Sequence, residues 1–287
     1  MFKSKFILGL ILTLFTSCAI GESTNSISEV KADAKSESKS LIFQNSFEEP
    51  EALSKWERGE LPNNSAVTIS TSPVKFGKYS AKFTLNQTDK LVAGSKRAEL
   101  KLKEKPLPPI SERWYGLSIF LPDSFINDPV PESIFQWHQV PNFKAGETWS
   151  TIRPTALYVK TENGRLGLVH SFYSIPSDPK SPGKSKRYDL GEYKTDVWTD
   201  FVMHIKFTYK DDGILEMWKN GQKILTIKGP TYYNDESGPY FKMGVYKWGW
   251  AMDVKSTTTQ RIVYYDEIKI GNENSSYDEV APRSNKN

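Results

Sequence analysis

Three stretches decide the fold: KRAELKLK (96–103), SIFQWHQV (133–140) and YFKMGVYKW (240–248). A strand sends successive side chains to opposite faces. In the first stretch Ala98, Leu100 and Leu102 then share one face, and Arg97, Glu99, Lys101 and Lys103 the other. In the second, Phe135 and Trp137 oppose Gln136 and His138. In the third, Phe241, Met243 and Val245 oppose Tyr240, Lys242, Gly244, Tyr246 and Trp248. The apolar period is two, which is a strand's period and not a helix's. Each apolar set requires a core. A merely solvated outer face is served by Thr, Ser, Lys and Glu. An outer face holding Arg, an amide, an imidazole and a phenol is a groove floor, provided that the three strands are neighbours.

Working outward, the same alternation recurs at 78–85, 113–121, 155–160, 200–209, 213–221, 223–229 and 261–270. Asp211-Asp212-Gly213 and Asn220-Gly221 have hairpin-turn chemistry. No amphipathic helical pattern of useful length intervenes. About ten strands with turn signals between them predict an all-β fold. The expected architecture is an antiparallel β-sandwich of the jelly-roll (concanavalin A-like) type, with a polar groove on one sheet. Aromatics make up 13% of the chain, with 8 Trp, 14 Tyr and 15 Phe. They fit a pleated, half-buried surface, and ring faces also stack on sugars. The Pro-, Ser- and Lys-rich stretch 176–187 reads as an exposed loop at a cleft rim. The polar tail 271–287 reads as frayed.

The N-terminus has a separate logic. Lys3 and Lys5 precede an apolar run of ten residues, FILGLILTLF (6–15). That is too short to span a bilayer and suits a signal-peptide core, so residues 1–17 read as a signal peptide. Small residues then lead into Cys18, as in a bacterial lipobox, where the cysteine is lipidated and begins the mature chain. Residues 18–40 are Ser-, Glu- and Lys-rich and read as that lipidated cysteine with a flexible tether. The expected location is the cell envelope, with a lipid anchor as the only membrane attachment; ordinary cleavage would give a secreted protein. The working domain spans 41–270. Net charge is +4, and +2 without Lys3 and Lys5. This is too weak for nucleic-acid binding and compatible with an anionic substrate. One cysteine excludes an intrachain disulfide and a cysteine-based zinc site.

R-A-E-L (97–100), Q-W-H (136–138) and Y-F-K-M-G-V-Y (240–246) resemble the signature strands of jelly-roll polysaccharide lyases, alginate lyases among them. RWYGLSIFLPDSF, IFQWHQVP and GPYFKMGVYKWGW are closer to the heparin lyase I and glucuronan lyase branch. The resemblance covers about 41–270. Trp137 and Met243 depart from the alginate-lyase triplets, both on the core-facing side.

The resemblance implies β-elimination on a uronic-acid polysaccharide, with unsaturated uronate ends as products. Such chemistry must neutralise a carboxylate, remove the adjacent proton and protonate the leaving oxygen. Arg97 and Gln136 are then the neutralising residues, and His138 and Tyr246 the base and acid in an order the sequence leaves open. Glu99, Lys101, Lys242, Tyr240 and Trp248 are expected to serve substrate binding, Glu99 by orienting Arg97 or Lys101 and Lys242 as a subsite cation. His204 faces away from the core, as a surface residue or a groove wall; His170 carries no signal. No cofactor is required. Asn45, Glu48 and Asp266 are oxygen ligands for a structural Ca²⁺ if the terminal strands meet. The protein is expected to be a monomer. A glycoside hydrolase would need paired carboxylates on a strand, and no strand has them. The alternative is a non-catalytic carbohydrate-binding lipoprotein, which would need the aromatics but not the set of Arg97, Gln136, His138 and Tyr246.

Overall fold

A computed structural model describes residues 40–152, 154–173, 183–252 and 254–284. The signal segment, Cys18 and the tether to residue 39 lie outside the described residues, as does 176–182 of the expected loop. Among the described residues, fifteen strands run in chain order. They are β1 (Leu41–Asn45), β2 (Trp56–Glu60), β3 (Val67–Ser70), β4 (Ser80–Asn86) and β5 (Arg97–Leu102). Next come β6 (Ser111–Phe120), β7 (Glu132–His138), β8 (Leu157–Glu162), β9 (Arg165–Phe172) and β10 (Lys184–Glu192). The last are β11 (Trp198–Phe207), β12 (Ile214–Lys219), β13 (Gln222–Lys228), β14 (Tyr240–Tyr246) and β15 (Gln260–Gly271). A single helical turn, α1 (Tyr277–Val280), follows.

The strands form two antiparallel sheets, as a jelly-roll sandwich requires. The first has the order β13-β12-β11-β6-β15-β4-β3, with β1 also pairing on β15. The second has the order β10-β9-β8-β7-β14-β5-β2. Apolar faces meet between them. Trp137 on β7 packs edge-on against Tyr115 on β6 at 5.1 Å, and Phe135 against Phe201 on β11 at 5.4 Å. All ten expected strands are present, and the turn at Asn220-Gly221 has both residues at positive φ (50° and 82°), as such hairpin turns need.

Five strands go beyond the sequence expectation. β2, β3 and β10 close the edges of the sheets, where one side of a strand has no partner and charged residues are tolerated. Their apolar alternation is correspondingly faint. Residues 184–187, expected in a loop, open β10. β9 announces itself through Asn163-Gly164, a positive-φ turn (50° and 78°) of the same chemistry as Asn220-Gly221. The tail needs a second correction. Val280 is fully buried, the Ser276 and Glu279 side chains cap α1 reciprocally, and Ser40 Oγ donates to Glu279 at 2.6 Å. Lys269 Nζ donates to the Ala281 carbonyl at 2.8 Å. A capping box and one apolar anchor hold the tail to residue 284 against the first sheet.

Candidate active site

β7, β14 and β5 are consecutive neighbours. Lys242 lies opposite Gln136 on one side and Lys101 on the other; Tyr246 lies opposite Ser133 and Arg97; Tyr240 lies opposite His138. β14 passes this point through Gly244 at φ +136°, where an added Cβ would stand 2.2 Å from the Ala98 carbonyl oxygen. Only glycine fits that backbone and that approach.

The polar face was expected to be open. Much of it is buried: Arg97 is 8% exposed, and Glu99, Gln136 and Lys242 are each 1% exposed. Charge pairing makes this burial tolerable. Arg97 Nη1 lies 2.8 Å from Glu60 and 3.6 Å from Glu99. Lys242 Nζ lies 2.8 Å from Glu60 and 3.2 Å from Glu99. Gln136 Nε2 donates a short hydrogen bond to Glu99, while Gln136 Oε1 and Arg97 Nε are buried without a partner. Two cations thus hold two carboxylates. Burial pushes Glu60 up, but Lys242 and Arg97 more than offset it and hold the carboxyl at about 2. Burial raises Glu99 above the ordinary carboxylate range despite the same cations.

The Arg97 guanidinium stacks on the Tyr246 ring, 4.1 Å from its centroid. Tyr246, Trp248, Tyr158, Ser133 and Gln136, with the Pro154–Thr155 segment, line a cleft of about 130 Å³ beside this cluster. Trp248 sits in the turn after β14, 5.4 Å from Tyr246 and 6.1 Å from Tyr158 between ring centroids. Arg97, Gln136 and Tyr246 are therefore together. His138 is two residues from Gln136 on the same face, beyond it from Tyr246. Its Nδ1 lies 2.7 Å from the Gln139 carbonyl oxygen. A carbonyl only accepts, so Nδ1 carries the hydrogen and Nε2 bears the lone pair. Burial and the charges of Lys242 and Arg97 lower His138 to about 3, against the pull of the Gln139 carbonyl and Glu60, so the ring is neutral at physiological pH.

The remaining sequence-assigned residues take these places. Glu99 pairs with Arg97 and Lys242, not with Lys101. Lys101 instead reaches Glu57 at 3.1 Å and lies 4.8 Å over the Tyr240 ring. Lys242 is a buried member of the ionic cluster rather than an exposed subsite cation. Tyr240 is buried, which raises its phenol above the ordinary range, and its ring stacks 5.4 Å from His138. His204 is on β11 of the other sheet, hence outside the groove; Glu112 (2.7 Å) and Glu216 (3.2 Å) hold its two nitrogens and Trp114 stacks on it at 4.2 Å. His170 is buried beside Phe172.

The groups suggested for calcium are each occupied by the chain itself. Asn45 caps Phe47 N–H and donates to the Ala52 carbonyl. Glu48 accepts from Lys78 and Tyr79 N–H, and Asp266 from Lys75, Phe76 and Glu267 N–H. Among the described residues no cluster of three or more His, Cys, Asp or Glu side chains is arranged to hold a metal ion.

Glu60 is the residue that sequence reasoning missed. WERGE (56–60) shows no apolar alternation, and only the pairing of edge strand β2 with β5 brings Glu60 opposite Glu99. Tyr158 was detectable: between Leu157 and Val159 it is the outward-facing aromatic of its strand.

A family model described as polysaccharide lyase matches residues 48–269. Among solved structures, an endo-β-1,4-glucuronan lyase from the fungus Trichoderma reesei superposes with a TM-score of 0.70 at 20% identity, covering 85% of this chain and 99% of that one. A family 7 alginate lyase gives 0.52 at 15% identity, with 77% and 96% covered. The catalytic domain of a glycoside hydrolase family 131 protein from Coprinopsis cinerea gives 0.51 at 14% identity, with 81% and 93% covered. No curated protein sequence matches. At such identities the structural likenesses establish the sandwich fold.

Proposed function

Since this chain belongs to the polysaccharide lyase family, we propose that it cleaves a uronic-acid-containing polysaccharide by β-elimination, with Arg97, Gln136, His138 and Tyr246 as its working residues. The observation that carries this reading is the convergence of Gln136 and Tyr246 on one cleft, with Arg97 stacked on Tyr246 beside it and a neutral His138 next along the same floor. A sugar seated over Gln136 has His138 on one side and Tyr246 on the other. Arg97 and the second amide hydrogen of Gln136 meet its carboxylate and lower the cost of the enediolate. One of the flanking pair takes the proton beside the carboxylate. The carbon–carbon double bond forms as the glycosidic carbon–oxygen bond breaks, and the other residue protonates the departing oxygen. His138 Nε2 has a free lone pair to take the proton, and Tyr246 has a phenol proton to give.

Charge balance sharpens the proposal. Arg97 and Lys242 already face Glu60 and Glu99, so an incoming carboxylate competes with Glu60, the more exposed of the two. Glu99 is sealed beneath Gln136 and Lys242. It therefore cannot reach a glycosidic oxygen, and the Glu60–Glu99 pair is unsuited to hydrolytic acid–base work.

The test is to incubate the protein with glucuronan, alginate and heparin-like polymers, intact and carboxyl-reduced, and to follow the ultraviolet absorbance of the unsaturated uronate. Intact polymer should yield that absorbance and reduced polymer should not. Tyr246→Phe should lose at least about a hundredfold in kcat. Cleavage of reduced polymer without the absorbance would show hydrolysis instead. The N-terminal pattern supports export with a lipid anchor at Cys18. Cys18→Ser should then move the protein from the membrane to the soluble fraction; a wild-type chain already soluble would overturn the anchor.

A further inference from the structure

Two aromatic rings stand in solvent at the His138 end of the groove. Trp149 is 58% exposed and Phe143 57%, and both lie on the connection from β7 to β8. The segment that carries them is tied to itself. Asn142 N–H donates to buried Glu147 at 2.7 Å, Ala145 N–H to the Asn142 side chain at 3.2 Å, and Thr148 N–H to Thr151 Oγ1 at 2.9 Å. It is therefore a built loop that holds its rings outward, leaving apolar faces in water at a hydrophobic cost.

Their placement is not scattered. Trp149 is 6.4 Å from Phe143, edge to face, and 6.4 Å from the His138 ring. His138 in turn stacks on Tyr240. The rings thus form a continuous run from solvent into the groove. At the opposite end Trp248 and Tyr158 make the corresponding aromatic wall. A charged floor with an aromatic pair at each end suits an extended sugar chain. Ring faces hold the pyranose C–H surfaces, and ions hold the carboxylates between them.

We propose that Trp149 and Phe143 form an outer sugar-binding subsite, which stacks a pyranose ring of the polymer beyond the residue where the bond breaks, on the His138 side. The identity of the polymer as a polyuronate rests on the lyase reading; the subsite itself does not.

The test uses the full chain carrying Tyr246→Phe, so that bound polymer survives, with glucuronan and alginate as probes in isothermal titration calorimetry. Adding Trp149→Ala should weaken binding roughly tenfold, as loss of one stacked ring and its buried area implies, and Phe143→Ala less. Trp149→Phe, which keeps a ring, should restore most of the affinity. In the otherwise wild-type enzyme, KM should rise more than kcat falls. Affinity unchanged in both alanine variants would overturn the subsite, as would a parent that binds neither polymer. So would unchanged polymer affinity with lost binding to phosphatidylglycerol vesicles, which would assign the rings to a lipid surface. The two readings fail separately. If no uronate polymer is cleaved by wild type, elimination falls, while weaker polymer binding by Trp149→Ala still supports the subsite.

Discussion

Glu60 and His138 show how single residues here depend on charges from several strands. Glu60 holds the two cations that a uronate carboxylate would need. Glu60→Gln should therefore lower KM for the polymer roughly fivefold, about 1 kcal/mol at the effective dielectric of a partly exposed pair. A raised KM in steady-state assays would mean instead that Glu60 positions Arg97 for substrate. For His138 the pH consequence has a definite sign. The free imidazole protonates near 6.5 and the folded one only near 3. The unfolded chain therefore binds the proton first as pH falls. The stability contribution is intact above 6.5 and is lost progressively down to about 3. In thermal melts His138→Gln should lose Tm less steeply than wild type between those limits. Likewise, kcat/KM of the wild type should show no limb centred near 6.5, since that profile reports the free enzyme's groups. A limb centred near 6.5 in the wild type would refute the shift.

At the scale of elements, the groove depends on how closely β14 lies against β5. Gly244 permits that approach, and Gly244→Ala combines a disfavoured φ with a clash against a backbone oxygen that cannot rotate away. The cost should be at least about 2 kcal/mol, read as a lower urea midpoint. Activity should fall with it, because Arg97 and Tyr246 are held across this same strand pair. A variant with wild-type stability and activity would mean that the strands separate freely at this point. YFKMGVY displays the alternation that places Lys242 and Tyr246 on one face, and the resemblance to lyase strands makes the glycine conspicuous. What it does not display is the contact: the Ala98 carbonyl belongs to a strand more than a hundred residues earlier. β2 and β10 were hidden for a related reason. Edge strands are half solvated, and their charged residues satisfy solvent before they satisfy a pattern.

For the whole molecule, the two sheets are joined by more than their apolar faces. Arg261 on β15, in the first sheet, lies 3.2 Å from Glu132 on β7 and 3.6 Å from Asp128; Lys247, just after β14, contacts both acids. All four side chains are buried, and Arg261 also donates to the Ile126 carbonyl at 2.8 Å. Removing one member strands a buried charge. Arg261→Met should cost about 3–5 kcal/mol in denaturant unfolding, through loss of a tie at one end of the sandwich. A loss under about 1 kcal/mol would mean that packed methionine replaces the ion pairs without penalty.

The sequence alone determined ten of the sandwich's strands and the face on which each groove residue lies. It also contained the set of Arg97, Gln136, His138 and Tyr246. These are local properties, because alternation along a strand is set by backbone geometry within a few residues. The tertiary structure decided which strands are neighbours, and so that Glu60 completes the ionic floor, that Lys242 is buried in it, and that His204 belongs to the opposite sheet. It also decided that the tail docks through Val280. A strand's own pattern states which side a residue faces but not which strand lies beside it. Pairing between distant segments is settled only when the sheets close over a common core.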